Sequence, residues 1–255
     1  MKYRTPAGTV YTLFEDMLEQ KHLLIAGATG SGKSVVVNGM IYTGLYKPPT
    51  EIQFILIDPK RVELSSYKPL PHCIYYASEP DTMIIGLQKA MQITEYRYKV
   101  MQRERVKKYQ GADVYVIIDE LADLMTTNKK QVQPLIQRLC QIGRAARVHV
   151  VACTQTPVSA VIPTPIKVNF DSRVGLRTRS KQDSRNIIEV AGLETLPEFG
   201  QGVYMTSKGQ QLYNIPYITD EQMDHIINWW LLQTPTQPRR WFTRWRRSKQ
   251  AATPA

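Results

Sequence analysis

A glycine-rich segment at residues 27–34 constrains the fold of this chain more than any other feature, since it reads GATGSGKS and fits the pattern GxxxxGK[ST]. It follows an apolar run at residues 22–26 and precedes a segment that can start a helix, residues 34–46. A phosphate-binding loop requires this strand–loop–helix setting, in which backbone N–H groups and a helix N-terminus point at phosphate oxygens. A glycine-rich turn without a ligand is the alternative, but a match in this setting is much rarer by chance.

The loop predicts a nucleotide site with assigned roles for its last residues. Lys33 would reach the β- and γ-phosphates, and the Ser34 hydroxyl would bind magnesium. ATP and Mg²⁺ are the expected cofactors. The predicted nucleotide-binding residues are Gly27, Ala28, Thr29, Gly30, Ser31, Gly32, Lys33, Ser34 and Val35.

The composition is that of an ordinary globular chain. With 255 residues, 43% hydrophobic and 22% charged, it can bury one substantial core. No apolar run approaches the roughly 18 residues of a membrane span, and residues 1–6 lack the apolar core of a secretion signal, so we expect a cytoplasmic protein. The three cysteines have no CxxC spacing and are expected to be small core residues.

Strand and helix patterns alternate along the chain, which predicts an α/β fold with a central, mostly parallel sheet flanked by helices. We expect Ser78 to cap the second helix and Pro80 to lie in its first turn. Pro134 is expected in the first turn of the third helix. Thr219 and Gln222 form a capping-box pattern that opens the last helix. The predicted strands are residues 22–26, 52–57, 114–118, 148–153, 171–177, 202–205 and 210–218, the last two paired around residues 208–209; the predicted helices are 34–46, 79–109, 131–147, 181–190 and 219–232.

Polar residues follow two of these strands. Asp119 and Glu120 end the run at residues 114–118: Asp119 would bind magnesium opposite Ser34, and Glu120 would deprotonate the attacking water. An acidic pair can also be simply a helix N-terminus enriched in acid. Gln155 follows the strand at residues 148–153, where it could hydrogen-bond the γ-phosphate and the water, or be a solvated loop residue.

The net charge of +11 is concentrated at the C-terminus. From residue 237 onward there are six basic and no acidic residues, interleaved with Trp241, Phe242 and Trp245. Such a tail suits nucleic-acid bases, a membrane surface or another subunit, and a disordered solvated end is the alternative. We predict one domain at residues 1–234 and a disordered basic aromatic tail at residues 235–255.

Several segments together resemble the motor domain of the FtsK/SpoIIIE family of DNA translocases, over about residues 22–205. The most specific is residues 58–64, DPKRVEL, with LPH at residues 70–72, because generic phosphate-loop proteins lack it. The other matching segments are residues 22–35, 95–98, 119–125, 143–146, 154–155, 172–173 and 183–185.

The resemblance implies a RecA-like P-loop ATPase acting as a homo-oligomer, with six subunits ringed around double-stranded DNA and ATP between neighbours. It makes Arg144 the candidate arginine finger, although a cation at a helix C-terminus is the alternative. It places Lys181 and Arg185 in the pore against DNA phosphates, where a solvated basic helix face is the rival interpretation. The catalytic set is then Lys33, Asp119, Glu120, Gln155 and Arg144.

Three positions depart from the family pattern. Thr156 replaces a usual arginine and Arg147 a usual glycine, and residues 200–203 lack an acidic residue. The chain begins about twenty residues before the loop, so we expect a stand-alone motor core. A protein-secretion or conjugation ATPase, docked on membrane machinery through the tail, is the alternative function. A nucleotide switch or small-molecule kinase is disfavoured by Glu120, Gln155 and Arg144 together.

Overall fold

A computed structural model describes residues 2–4, 10–20, 22–158 and 161–233. In this part of the chain strands and helices alternate. The strands are β1 (Lys2–Arg4), β2 (Val10–Thr12), β3 (His22–Ala26), β4 (Ile52–Ile57), β5 (Cys73–Ala77), β6 (Asp113–Ile118), β7 (Val148–Thr154), β8 (Ser172–Gly175), β9 (Gln201–Thr206) and β10 (Gly209–Asn214). The helices are α1 (Leu13–Glu19), α2 (Lys33–Gly44), α3 (Pro80–Glu104), α4 (Leu121–Ile142), α5 (Thr164–Lys167), α6 (Lys181–Ile188) and α7 (Asp220–Gln233).

Eight strands form one sheet in the order β10-β9-β8-β3-β7-β6-β4-β5. The six strands from β8 to β5 are parallel, and the β9–β10 hairpin continues the sheet in antiparallel pairing. Strands β1 and β2 pair separately. The predicted α/β class with a mostly parallel sheet is confirmed.

Helices cover both faces of the sheet, so the central strands β3 and β7 are buried along their whole length. On one face a hydrophobic cluster joins α1, α2 and α7 to the sheet through Phe14, Val36 and Ile226. On the other face α3 and α4 pack through Leu87 and Ile136. The three cysteines are buried, as expected of core residues.

Two predicted helices have bounds that differ by more than two residues at one or both ends in the structure. Helix α3 is capped by Glu79 rather than Ser78, because Glu79 and Thr82 form a reciprocal capping box, and it ends at Glu104 rather than residue 109. Helix α4 begins at Leu121, well before the predicted residue 131, with a kink at Asn128. Pro134 therefore lies inside the helix and not in its first turn, and α4 ends at Ile142 rather than residue 147.

Other local predictions are confirmed. The hairpin pairs Gly209 with Thr206, and α7 opens with the expected capping box: the Thr219 N–H donates to Gln222 Oε1 at 3.0 Å and the Gln222 N–H to Thr219 Oγ1 at 3.2 Å. Helix α1 and strand β5 were not predicted. Among the described residues no helix is both long and apolar enough to cross a bilayer. The predicted tail, residues 235–255, lies outside the described part of the chain.

Candidate nucleotide site

The predicted site residues follow neighbouring parallel strands, so they meet at one edge of the sheet. The glycine-rich loop follows β3, Gln155 follows β7, and Asp119 and Glu120 follow β6, which are adjacent in that order. In parallel sheets ligands bind at this carboxyl edge. The topology therefore brings together all the predicted nucleotide and hydrolysis residues except Arg144.

The loop backbone has the conformation that its glycines permit. Gly30 and Gly32 have φ values of 78° and 96°, in the left-handed region that favours glycine. A Cβ atom on Gly27 would lie 2.6 Å from Ser31 Oγ and 2.8 Å from Leu176 Cβ. The loop is also tied to two neighbouring strands, since the Gly27 N–H donates to Thr154 O at 3.3 Å and the Ala28 N–H to Arg177 O at 2.8 Å.

The Lys33 side chain is folded back onto the loop. Its ammonium donates to the carbonyl oxygens of Gly27 at 2.9 Å and Ala28 at 2.8 Å, and the residue is buried. Burial lowers the pKa of Lys33 below its usual value. Two neutral carbonyls satisfy this cation incompletely, so an anionic phosphate at the loop would be a stronger partner.

Asp119 has surroundings suited to a divalent cation. Burial and the nearby carboxylates of Glu63 and Asp58 raise its pKa to about 7. A bound cation would relieve this repulsion, and the Asp119 carboxylate and the Ser34 hydroxyl are both hard oxygen donors of the kind that Mg²⁺ prefers. Ser34 and Asp119 thus fit the metal role predicted for them.

Glu120 is a buried carboxylate engaged by several donors. The Gln155 N–H lies 3.3 Å from both of its oxygens, and the Ala122 N–H donates to Oε1 at 3.3 Å. The contact with Ala122 makes Glu120 the N-cap of α4. Glu120 therefore has the role at a helix N-terminus that was the alternative interpretation, and it also lies in the site. The ammonium of Lys60 lies 3.7 Å from Glu120 Oε2.

Gln155 connects the glycine-rich loop to Glu120. Its side-chain Oε1 accepts a hydrogen bond from Thr29 Oγ1 at 2.7 Å, while its backbone N–H contacts Glu120. The structure therefore places Gln155 between the phosphate loop and the acidic strand end.

Helix α6, which contains Lys181 and Arg185, begins close to the phosphate loop. A cavity of about 220 Å³ is lined by Ala28 and Gln155 on one side and by Arg179 and Asp183 on the other. Both predicted DNA-binding side chains are exposed, whereas Ser184 and Ile187 on the opposite face are buried. This exposure is compatible with contacts to DNA phosphates and with a solvated basic helix face.

Arg144 lies at the opposite edge of the sheet. It precedes β7, whose seven residues span about 20 Å before Gln155 is reached. Its side chain is exposed on a cavity of about 760 Å³ that is also lined by Lys47, Lys107 and Lys108. Within one chain Arg144 cannot reach the loop. Because it directly follows the end of α4, the alternative role of a cation at a helix C-terminus also stays open.

Arg147 stands where the resemblance predicts a glycine, and it has a backbone conformation that favours glycine. Its φ of 55° is left-handed, which costs about 1 kcal/mol for a residue with a Cβ. Its guanidinium makes a two-pronged contact with Asp113, in which Nε donates to Oδ1 at 2.9 Å and Nη2 to Oδ2. His149 Nε2 lies 2.7 Å from the same Oδ1.

Sequence patterns gave no role to Lys60 or to the buried Asp58, although both lie in the charged run at residues 58–64. That run follows directly after β4, the neighbour of β6, and this adjacency was the available signal.

A family model described as FtsK/SpoIIIE family matches residues 5–114 and 109–159 of the chain. A curated relative, the DNA translocase FtsK of Rickettsia typhi, is 35% identical over 85% of this chain and 35% of its own length. The DNA translocase FtsK of Chlorobaculum tepidum is 36% identical over 88% of this chain and 31% of its own length. The chain thus spans about a third of the length of these relatives.

Solved structures with the same fold are more distant in sequence. The pCW3 conjugation coupling protein TcpA has a TM-score of 0.74 at 21% identity, covering 92% of this chain and 70% of that one. The cytoplasmic domain of the type VII secretion ATPase EccC from Thermomonospora curvata has a TM-score of 0.76 at 17% identity, covering 93% and 31%. These likenesses concern the fold alone.

Proposed function

Because the chain belongs to the FtsK/SpoIIIE family of P-loop ATPases, we propose that it hydrolyses ATP to move double-stranded DNA. It would act as a ring-shaped homo-oligomer, hexameric by family resemblance, with each ATP at an interface between subunits. The observation that carries this proposal is the separation of Arg144 from the other catalytic candidates across the sheet. If Arg144 is the arginine that serves the site, it has to come from a neighbouring subunit.

The reaction follows from the groups at the carboxyl edge. Lys33 and the N–H groups of the loop bind the β- and γ-phosphates, and Ser34 and Asp119 bind Mg²⁺, which supplies charge neutralisation at the phosphates. Glu120 accepts a proton from the attacking water while the water oxygen bonds to the γ-phosphorus. The bond from that phosphorus to the β–γ bridging oxygen breaks, which yields ADP and phosphate.

The link to DNA runs through a short structural path. Ala28 of the loop is hydrogen-bonded to Arg177, and three residues later Ser180 caps α6, where its Oγ accepts from the Asp183 N–H at 3.1 Å. Lys181 and Arg185 on the exposed face of α6 would contact phosphates of the DNA backbone without reading sequence. A change at the loop can therefore move the proposed DNA contacts.

ATP turnover with and without duplex DNA tests this function. We expect several-fold stimulation by DNA and loss of turnover in Lys33→Ala. The double variant Lys181→Ala with Arg185→Ala should need more DNA for half-maximal stimulation, independent of DNA sequence, because two phosphate contacts are lost. Lys208→Ala removes an exposed lysine from the β9–β10 hairpin and is the control. A turnover rate indifferent to DNA would count against DNA as the cargo.

A secretion or conjugation ATPase is the second candidate, favoured by Thr156 in place of an arginine that would add a DNA contact. The names of the relatives at about 35% identity favour DNA translocation instead. If the tail at residues 235–255 docks the protein on membrane machinery, its deletion will abolish membrane or partner association. Unchanged association after the deletion would argue against that role.

A further inference from the structure

Lys60 is a cation placed against the catalytic carboxylate by the run at residues 58–64. Its ammonium lies 3.7 Å from Oε2 of Glu120, whose side chain is only 4% exposed, whereas that of Lys60 is 44% exposed. The pair therefore joins a buried anion to a cation that is partly exposed to solvent. No function discussed so far uses this lysine.

The loop that carries Lys60 is tied to its surroundings by hydrogen bonds of Asp58. Asp58 is fully buried, and its Oδ2 accepts from the Leu64 N–H at 3.0 Å and from the Tyr76 hydroxyl at 3.4 Å. Both contacts hold the backbone around Lys60, whereas the neighbouring Arg61 is ion-paired with Glu79 at the surface.

Lys60 lies close enough to Lys33 and Asp119 for its charge to act on both. Burial lowers the pKa of Lys33, and the charge of Lys60 lowers it further. Lys60 likewise opposes the rise in the pKa of Asp119 that burial and the neighbouring carboxylates cause. Its charge thus acts on both sides of the site, on the phosphate-binding lysine and on the metal-binding carboxylate.

We propose that Lys60 is a positioning residue. Its ammonium pairs with Glu120 in the nucleotide-free chain and moves to the γ-phosphate when ATP binds. The γ-phosphate group is the stronger acceptor because it carries about two negative charges, whereas a carboxylate carries one. The transfer leaves Glu120 free to accept the proton of the attacking water. ADP lacks the γ-phosphate and leaves the lysine on Glu120, so the pair distinguishes ATP from ADP. The inference rests on the proposed ATPase function.

Binding of AMPPNP and of ADP, both with Mg²⁺, to the full chain by calorimetry tests this role. Lys60→Met should weaken AMPPNP binding about tenfold and change ADP binding less than about twofold, because only the γ-phosphate contact is lost. Lys60→Arg should restore most of the difference. Arg61→Met removes a cation from the same loop without touching Glu120, and its ratio of the two affinities should equal that of the wild type.

A double-mutant cycle tests the competition itself. Glu120→Gln should tighten AMPPNP binding because it releases Lys60, and the gain should shrink in the Lys60→Met background. Equal weakening of both nucleotides in Lys60→Met, no weakening at all, or strictly additive effects in the cycle would each overturn the role of Lys60. A wild-type chain whose turnover ignores DNA, but whose AMPPNP preference still depends on Lys60, would contradict only the proposed DNA motor.

Discussion

At the scale of single residues, Gln155 connects the phosphate-binding loop to the buried carboxylate of Glu120. It touches Thr29 of the loop through its side chain and Glu120 through its backbone. Gln155→Ala keeps the backbone contact and removes only the side-chain amide. We expect turnover with DNA to fall about 10²-fold, as when one polar contact in a catalytic site is lost, with ATP affinity within about threefold of wild type. Steady-state kinetics and nucleotide titration measure the two effects separately.

Thr29→Val is the comparison, since it removes the partner hydroxyl and leaves the amide. It should reduce turnover much less than Gln155→Ala does. Equal losses in the two variants would mean that the hydrogen bond itself, rather than the amide at the phosphate and water, is what matters.

Arg147 allows backbone strain and an ion pair to be measured at one position. Arg147→Ala loses the contact with Asp113 and keeps the left-handed backbone, so it should lower the free energy of unfolding by about 1–2 kcal/mol. Arg147→Gly loses the same contact but relieves the strain, and should be about 1 kcal/mol more stable than the alanine variant. Chemical denaturation measures both, and a glycine variant no more stable than the alanine variant would contradict the strain.

The same cluster predicts a pH dependence. Burial alone would raise the pKa of Asp113, but hydrogen bonds from His149 and Arg147 outweigh it and hold the pKa well below its usual value. A carboxyl with a lowered folded-state pKa stabilises the fold above its unfolded pKa of about 4 and loses this contribution as the pH falls further. The stability difference between wild type and Asp113→Asn should therefore shrink as the pH falls below about 4.

At the scale of elements, Gly143 determines how α4 ends and where Arg144 projects. A Cβ on Gly143 would lie 2.4 Å from Val148 O and 2.6 Å from Leu139 O, and both atoms belong to backbone that cannot easily yield. Gly143→Ala should therefore destabilise the fold by about 1–3 kcal/mol, as overpacking does.

Gly86 within α3 is the matched control for this substitution. A Cβ there would meet Tyr75 at 3.4 Å and Ile57 at 3.5 Å, which is ordinary contact. Gly86→Ala should be neutral or stabilising by up to about 1 kcal/mol, because alanine is the better helix former. Thermal denaturation of the two variants compares them, and similar behaviour would contradict the close approach at Gly143.

Elements were predictable from the sequence where they are buried on both sides. Strands β3, β4, β6 and β7 appear as apolar runs because helices cover both faces of the sheet. Strand β5 lies at the sheet edge, where half-buried tyrosines replace the aliphatic residues of the central strands, and it was not predicted. The first part of α4 was missed because its kink at Asn128 interrupts the helical pattern within a polar stretch.

The site was predictable to the extent that each residue follows a recognisable strand. The loop and the three polar residues after β6 and β7 could be located because parallel strands end at one edge. The contact between Lys60 and Glu120 could not be predicted, because it depends on the adjacency of β4 and β6 and on the backbone conformation of residues 58–64. No spacing along the chain encodes that through-space pairing.

At the scale of the whole molecule, a site completed by a neighbour predicts how two inactive variants behave together. Arg144→Ala should bind ATP normally but turn over very slowly, because stabilising charge on the transferring phosphate is missing. Lys33→Ala lacks the phosphate-binding lysine but still carries Arg144. In an equal mixture about a quarter of head-to-tail interfaces join an intact loop to an intact arginine. Turnover should therefore reappear on mixing. A mixture of two variants whose defects both lie on the phosphate-loop side of the interface would stay inactive.

The most direct test of a site shared between subunits is turnover per chain at increasing protein concentration, with and without duplex DNA. If the interface completes the site, turnover per chain will rise with concentration as the oligomer assembles, and DNA will shift the rise to lower concentration. A rate per chain that is full at the lowest concentration, where light scattering finds only monomers, would contradict the account.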